Sequence, residues 1–118
     1  MIKGIGIDLI EITRFSKVSG DFLNQVFTSG ELKTIKKNHL FAGLKFSIKE
    51  AILKALGIGL YYGFFFKNIE LKEDNKVSIN EPFKNNLFQN RNHIHTGTGI
   101  SRKYACAIAI IEDKQEVD

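Results

Sequence analysis

The sequence predicts an α+β fold, with one long helix packed on a mostly antiparallel sheet in a single domain spanning residues 1–118. Three observations predict it. Residues 2–10 alternate with a period of two, residues 40–56 are rich in helix formers, and residues 104–111 carry alanine at every second position.

Along residues 2–10, Ile5, Ile7 and Leu9 share one strand face, while Gly4, Gly6 and Asp8 share the other. Residues 11–18 then read as helical, with Ile12, Phe15 and Val18 recurring on one side. Ser29-Gly30-Glu31-Leu32 opens a further short helix, for which Thr28 or Ser29 is the expected cap.

The segment from Leu40 to Leu56 is the strongest element. It contains no proline and one interior glycine, and Gly57 and Gly59 stop it. Leu44, Ile48, Ala51, Ile52 and Ala55 fall on one side at 100° per residue. Phe46, Lys49, Glu50, Leu53 and Lys54 fall on the other, a mixture that suits the wall of a partly dry site.

Phe64-Phe65-Phe66 with Ile69-Glu70-Leu71, then Val77-Ser78-Ile79 and His93 to Thr98, read as strands. The last strand runs from Tyr104 to Ile111, and its small residues Ala105, Ala107 and Ala109 let a helix lie close. Pro82, the only proline, begins a polar stretch to Asn92 that fits a short helix or a loop.

At 118 residues, a core is affordable but a deep cleft within one chain is not, which keeps oligomers in view. Hydrophobic residues at 43% and charged residues at 25% are ordinary for a globular protein. No apolar run approaches the roughly 20 residues that span a bilayer, and no signal-like segment opens the chain, so a cytoplasmic protein without membrane attachment is expected. Cys106 is the sole cysteine, which excludes an internal disulfide; in Tyr104-Ala105-Cys106-Ala107 it reads as a small buried residue. Seventeen basic against thirteen acidic side chains give a net charge of +4, which favours an anionic partner without naming one.

Asp8 is the first residue that suggests chemistry, because a carboxylate amid apolar strand residues is costly to bury without a partner or a cation. Gly4 and Gly6, on its face, leave bare backbone where something approaches closely. A salt bridge and a metal site account equally for that position. Glu50 and Lys54 are four apart on one helix stripe, which fits a surface ion pair. It also fits a site where Asp8 and Glu50 hold Mg²⁺ and Lys45, Lys49 and Lys54 balance phosphate charge. Gly57 and Gly59 would then let backbone amides reach an anion. His93 and His95 share a strand face but lack further ligands at zinc spacing. Thr96-Gly97-Thr98-Gly99 is a weak phosphate-loop signal. Ser47 and Ser101 have no His/Asp partners and are not read as nucleophiles.

These residues also form a known pattern. Gly4-Ile5-Gly6-Ile7-Asp8 through Arg14 resembles the opening G-x-G-x-D-x-x-x-x-x-R of the holo-acyl-carrier-protein synthases, the small class of phosphopantetheinyl transferases. Phe46 to Gly59 matches that family's F-x-x-K-E-A-x-x-K-A-x-G-x-G at every fixed position. Phe27-Thr28-Ser29-Gly30-Glu31-Leu32 is similar to its F-T-x-x-E-L, Asn68-Ile69-Glu70-Leu71 to its D-I-E strand, and Tyr104-Ala105-Cys106-Ala107 to its Y-A-x-A strand.

The resemblance implies a 4'-phosphopantetheinyl transferase-like homotrimer with sites at subunit interfaces. It implies transfer of phosphopantetheine from coenzyme A to a serine of an apo-acyl carrier protein, serving fatty acid biosynthesis. Asp8 and Glu50 would be the Mg²⁺ ligands and, with Lys54, the catalytic residues. Lys45, Phe46, Lys49, Lys54, Gly57 and His95 would line the coenzyme A pocket, and Arg14, Phe15 and Lys17 would dock the acidic carrier. Glu50 or a water on the metal is the expected proton acceptor, ahead of Glu31.

The chain departs from the pattern in three places. Lys45 replaces the usual Arg and loses its fork. The family's H-x-S-x-S-H aligns with His95 to Ile100, so the second His is missing. The Gly-Lys-Pro turn is reduced to Asn75-Lys76-Val77. Two rival readings are a catalytically degenerate relative, suggested by Ile100, and a nucleic-acid-binding module using Lys33, Lys36, Lys37 and the Phe64–Phe66 run. The aromatic run lacks interleaved basic residues, so no nucleic acid partner is expected.

Overall fold

A computed structural model describes residues 1–35, 38–57, 66–73, 76–79 and 92–114. Lys36, Lys37, Gly59, Phe64, Phe65, Asn75 and the 82–91 stretch lie outside the described residues.

The chain runs through β1 (Ile2–Glu11), a 3-10 helix (Ile12–Lys17), α1 (Gly20–Val26), α2 (Ser29–Ile35) and α3 (His39–Leu56). A 3-10 turn (Phe66–Asn68) leads into β2 (Ile69–Leu71), followed by β3 (Val77–Ile79), β4 (Asn92–Ile100) and β5 (Tyr104–Asp113). Strands β1, β5 and β4 form one antiparallel sheet in that order, and β2 pairs with β3 in a second. The expected α+β arrangement is therefore the one observed.

Register explains how helix and sheet meet. Gly4, Gly6, Asp8 and Ile10 pair with Ile111, Ala109, Ala107 and Ala105, so these residues share the face that α3 covers. A Cβ on Gly4 or Gly6 would collide with the carbonyl oxygens of Ala55 and Ala51. What approaches the bare backbone beside Asp8 is thus the helix itself. Ile48, Ala51, Ile52 and Ala55 are buried against Ala107, Ala109, Ile111 and the β2 residues Ile69 and Leu71. Each buried isoleucine contributes roughly 1.5–3 kcal/mol relative to an exposed one. A second cluster around Ile10, Ile12, Phe15, Val26, Phe27 and Ile35 closes the other end of α3.

Local chemistry sets the helix ends. Asn38 Oδ1 accepts from Leu40 N and Phe41 N at the start of α3, and Gly57 ends it in the left-handed region at φ 70°. Thr28 is the cap of α2: its Oγ1 accepts from Glu31 N while Glu31 Oε1 accepts from Thr28 N, a reciprocal box. Helix α1 is absent from the sequence-based expectation; Ser19 Oγ caps it by accepting from Phe22 N at 3.1 Å.

Two expectations are corrected. Phe66 belongs to a 3-10 turn rather than a strand. Cys106 is exposed, because it alternates with the inward-facing Ala105 and Ala107. It shares the uncovered sheet face with Ile5, Ile7, Leu9 and Ile108, where Ile7 is 62% and Leu9 65% exposed.

Candidate active site

The site grows from the line where β1 passes beneath α3. Asp8 lies on the helix-covered face and is almost wholly buried. Lys54 Nζ donates to Asp8 Oδ1 at 3.1 Å and to the Ile7 carbonyl at 3.0 Å. Ser47 Oγ donates to the Asp8 carbonyl at 3.3 Å and ties helix to strand at this point. Asp8 Oδ2, by contrast, is buried without a hydrogen-bond partner.

Glu50 stands one turn before Lys54 on the same stripe. Burial, and then the charge of Asp8, push its carboxyl above the usual glutamate value, while Lys54 pulls in the opposite direction. Asp8, Glu50 and Lys54 are therefore neighbours in space although Asp8 is 42 residues from Glu50 in sequence. Lys54 takes Asp8 as its ion-pair partner, so the Glu50–Lys54 surface pair considered from spacing is not the one that forms.

An unpartnered buried carboxylate oxygen beside a second carboxylate of raised pKa is a donor set that fits a small divalent cation. Among the described residues no group of three or more His, Cys, Asp or Glu gathers as a metal cage. Two carboxylates are nevertheless enough for Mg²⁺, which completes its shell with water and phosphate oxygens.

A family model of the 4'-phosphopantetheinyl transferase superfamily matches residues 4–109, which include every residue of this cluster. The chain belongs to this superfamily. Holo-[acyl-carrier-protein] synthases from Chlamydia trachomatis serovar L2 and Halothermothrix orenii are 38% and 34% identical to it. Those matches cover 92% and 96% of this chain and 98% and 99% of the relatives. The crystal structure of a holo-(acyl-carrier-protein) synthase from Bacillus anthracis in complex with CoA (3',5'-ADP) aligns with a TM-score of 0.77 at 27% identity. That alignment covers 97% of this chain and 99% of the other. The Neisseria meningitidis holo-[acyl-carrier-protein] synthase shares the fold, with a TM-score of 0.80 at 22% identity over 95% of this chain and 99% of its own.

Other residues that the phosphopantetheinyl transferase resemblance implicates are placed differently. Lys49 is fully buried and its ammonium is spent on Glu31 Oε1 and the carbonyls of Val26 and Phe66, so it does not line an open pocket. Glu31 is equally buried and holds Lys49 and two backbone amides, which removes it as a proton acceptor. Gly57 N donates to the Lys54 carbonyl at a helix C-terminus, the end that repels anions, so its amide is not an anion donor.

Phe46 sits in an aromatic cluster, 5.2 Å from the Phe15 ring centroid and 5.4 Å from that of Phe66. Lys45 flanks a groove of about 250 Å³ lined with Thr34, Phe41, Leu44 and Glu73. Arg14 and Lys17 are exposed on the 3-10 helix, whereas Phe15 is mostly buried beneath them. Phe15 forms the floor of a groove of about 270 Å³ that Val18, Leu23 and His39 also line.

His95 pairs with Ile110 on the uncovered sheet face, opposite to Asp8, and its Nε2 lies 3.0 Å from Glu112 Oε1. It therefore cannot join Asp8 within one chain. Ile100, where the family carries its second His, pairs with Ala105 on the Asp8 side. Thr96 and Thr98 share that side, through Ala109 and Ala107.

Proposed function

We propose that this chain transfers the 4'-phosphopantetheine group of coenzyme A to a serine of an apo-acyl carrier protein, as a Mg²⁺-dependent transferase. The observation that carries the reading is the convergence of Asp8, Glu50 and Lys54 at the β1–α3 line, with Asp8 Oδ2 unpartnered. The names of the relatives and the coenzyme A complex of the B. anthracis enzyme support it.

Asp8 and Glu50 would hold Mg²⁺, which supplies charge neutralisation at the diphosphate. The Lys54 ammonium, half-exposed at the rim, meets the same phosphates as a mobile positive charge. The serine hydroxyl of the carrier attacks the β-phosphorus of coenzyme A. The new P–O bond forms as the bond to the bridging oxygen breaks, and adenosine 3',5'-bisphosphate leaves with that oxygen. Such transfer depends on positioning and charge more than on covalent help from the protein. Glu50 would accept the serine proton through a carboxylate oxygen not engaged with the cation.

The carrier would dock at exposed Arg14 and Lys17, beside the groove floored by Phe15. The uncovered face of Ile5, Ile7, Leu9 and Ile108 supports assembly as a homotrimer, since an apolar sheet face of this kind seeks cover. Sites at subunit boundaries would also let His95 of one copy approach Asp8 of another. No helix among the described residues is long and apolar enough to cross a membrane; the location proposed here, cytoplasmic and serving fatty acid biosynthesis, rests on the family resemblance.

Intact mass spectrometry of an apo-carrier protein incubated with the chain, coenzyme A and Mg²⁺ tests the reading. Gain of one phosphopantetheine supports it; an unchanged mass with any divalent ion favours the non-catalytic relative.

A further inference from the structure

Lys49 and Glu31 form a charged pair in the middle of the molecule, with neither side chain accessible to solvent. Lys49 Nζ lies 2.6 Å from Glu31 Oε1 and donates to the Val26 and Phe66 carbonyls at 2.8 and 3.1 Å. Glu31 also accepts from Thr28 N through Oε1 and from Leu71 N through Oε2, each at 2.8 Å. Four segments meet in this pair: the end of α1, the start of α2, the Phe66 turn with β2, and α3. The Lys49 ammonium also lies 5.3 Å from the Phe27 ring centroid.

Stability alone is a weak reason for such a pair, because an apolar pair of the same shape is often as stable. Direction is what it supplies. A leucine in this position tolerates sliding and rotation, whereas an ammonium with three fixed acceptors does not. Lys49 immediately precedes Glu50, so fixing Lys49 Nζ sets the rotation of α3 about its axis and its height over β1. Those two coordinates decide where Glu50 and Lys54 stand relative to Asp8. The Ser47–Asp8 hydrogen bond fixes the same helix from the strand side.

We propose that the Lys49–Glu31 pair is a positioning device for the active site, holding α3 in the rotation that turns Glu50 toward Asp8. The proposal rests on the metal and transfer reading of that site.

The test is a double variant, Lys49→Met with Glu31→Gln, which removes both buried charges together, studied beside Glu31→Gln alone. Four quantities are measured: the thermal midpoint, the kcat of transfer, the carrier KM, and Mn²⁺ affinity by electron paramagnetic resonance with coenzyme A present. The folded double variant is expected to bind Mn²⁺ about tenfold more weakly. Its kcat is expected to fall by about 100-fold, as misplacement by an ångström does, with the carrier KM unchanged. A folded double variant with native kcat and Mn²⁺ affinity would overturn the proposal. Should the double variant not fold, Glu31→Gln decides on the same quantities; unfolding of both assigns the pair to stability alone and also overturns it. Absence of transfer by the unaltered chain would sink the transferase reading instead, and the Mn²⁺ comparison would still decide the positioning role.

Discussion

Among the described residues, two carboxylate–lysine pairs join α3 to its surroundings, and they are built in opposite ways. Glu31–Lys49 is closed: both side chains are buried, and the ammonium and both carboxylate oxygens have partners. Asp8–Lys54 is open: Lys54 is 52% exposed, Asp8 Oδ2 has no donor, and Glu50 waits alongside without an ion-pair partner among the described residues. The closed pair has no capacity left for a ligand. The open one has an unused acceptor, a second carboxylate and a lysine free to change partners. One helix thus carries its structural charge and its chemical charge on different sides, five residues apart.

The difference is sharpest in activity. Glu50→Gln should lower transfer by about 100-fold or more, in the range lost with a general base, while the thermal midpoint stays near that of the unaltered chain. Turnover near normal in that variant would remove Glu50 from the mechanism.

The next contrast is in stability. Lys49→Met leaves the Glu31 carboxylate buried without its cation and should cost about 3–5 kcal/mol. Lys54→Met also takes the cation from a nearly buried carboxylate, but at a pair whose lysine stands half in solvent, and should cost less, about 1–3 kcal/mol. Denaturant titrations of the two variants side by side check the comparison, and equal losses would dissolve it.

The smallest effect concerns Glu70, whose carboxyl is held below its usual value by Lys72 and then by the Thr28 hydroxyl. A lowered folded-state value stabilises the protein fully above the ordinary glutamate value of 4.5 and loses that contribution as pH falls through the folded value. The pair is largely solvated, so unfolding at pH 7 and pH 3 should show Glu70→Gln weakening the protein by a few tenths of a kcal/mol at the higher pH only.

Much of this was visible in the residues. The alternation of Gly4, Gly6 and Asp8 marked both the strand and its close contact, and the Leu40–Leu56 pattern marked the helix that makes it. Asp8 stood out because a carboxylate among apolar neighbours demands a reason, whereas Glu50, four residues before Lys54, fitted a surface ion pair as well as a shared metal site. Lys49 reads as a phosphate-balancing residue at the wall of the site, and only the packed structure shows it inside on Glu31. The spacing of Thr28 and Glu31 carried the needed signal, a reciprocal helix cap that turns the glutamate inward. Helix α1 escaped notice because Gly20 at its start is a poor helix former. The facing of His95 depends on strand register, which local sequence does not state.

The meeting of Asp8 and Glu50 around one divalent ion is what a crystal grown with Mn²⁺ and coenzyme A tests most directly, through its anomalous density. The expected result is a single peak about 2.1 Å from oxygens of both carboxylates and of the diphosphate. A peak bound elsewhere, with the two carboxyl groups too far apart to share an ion in any subunit combination, would contradict it.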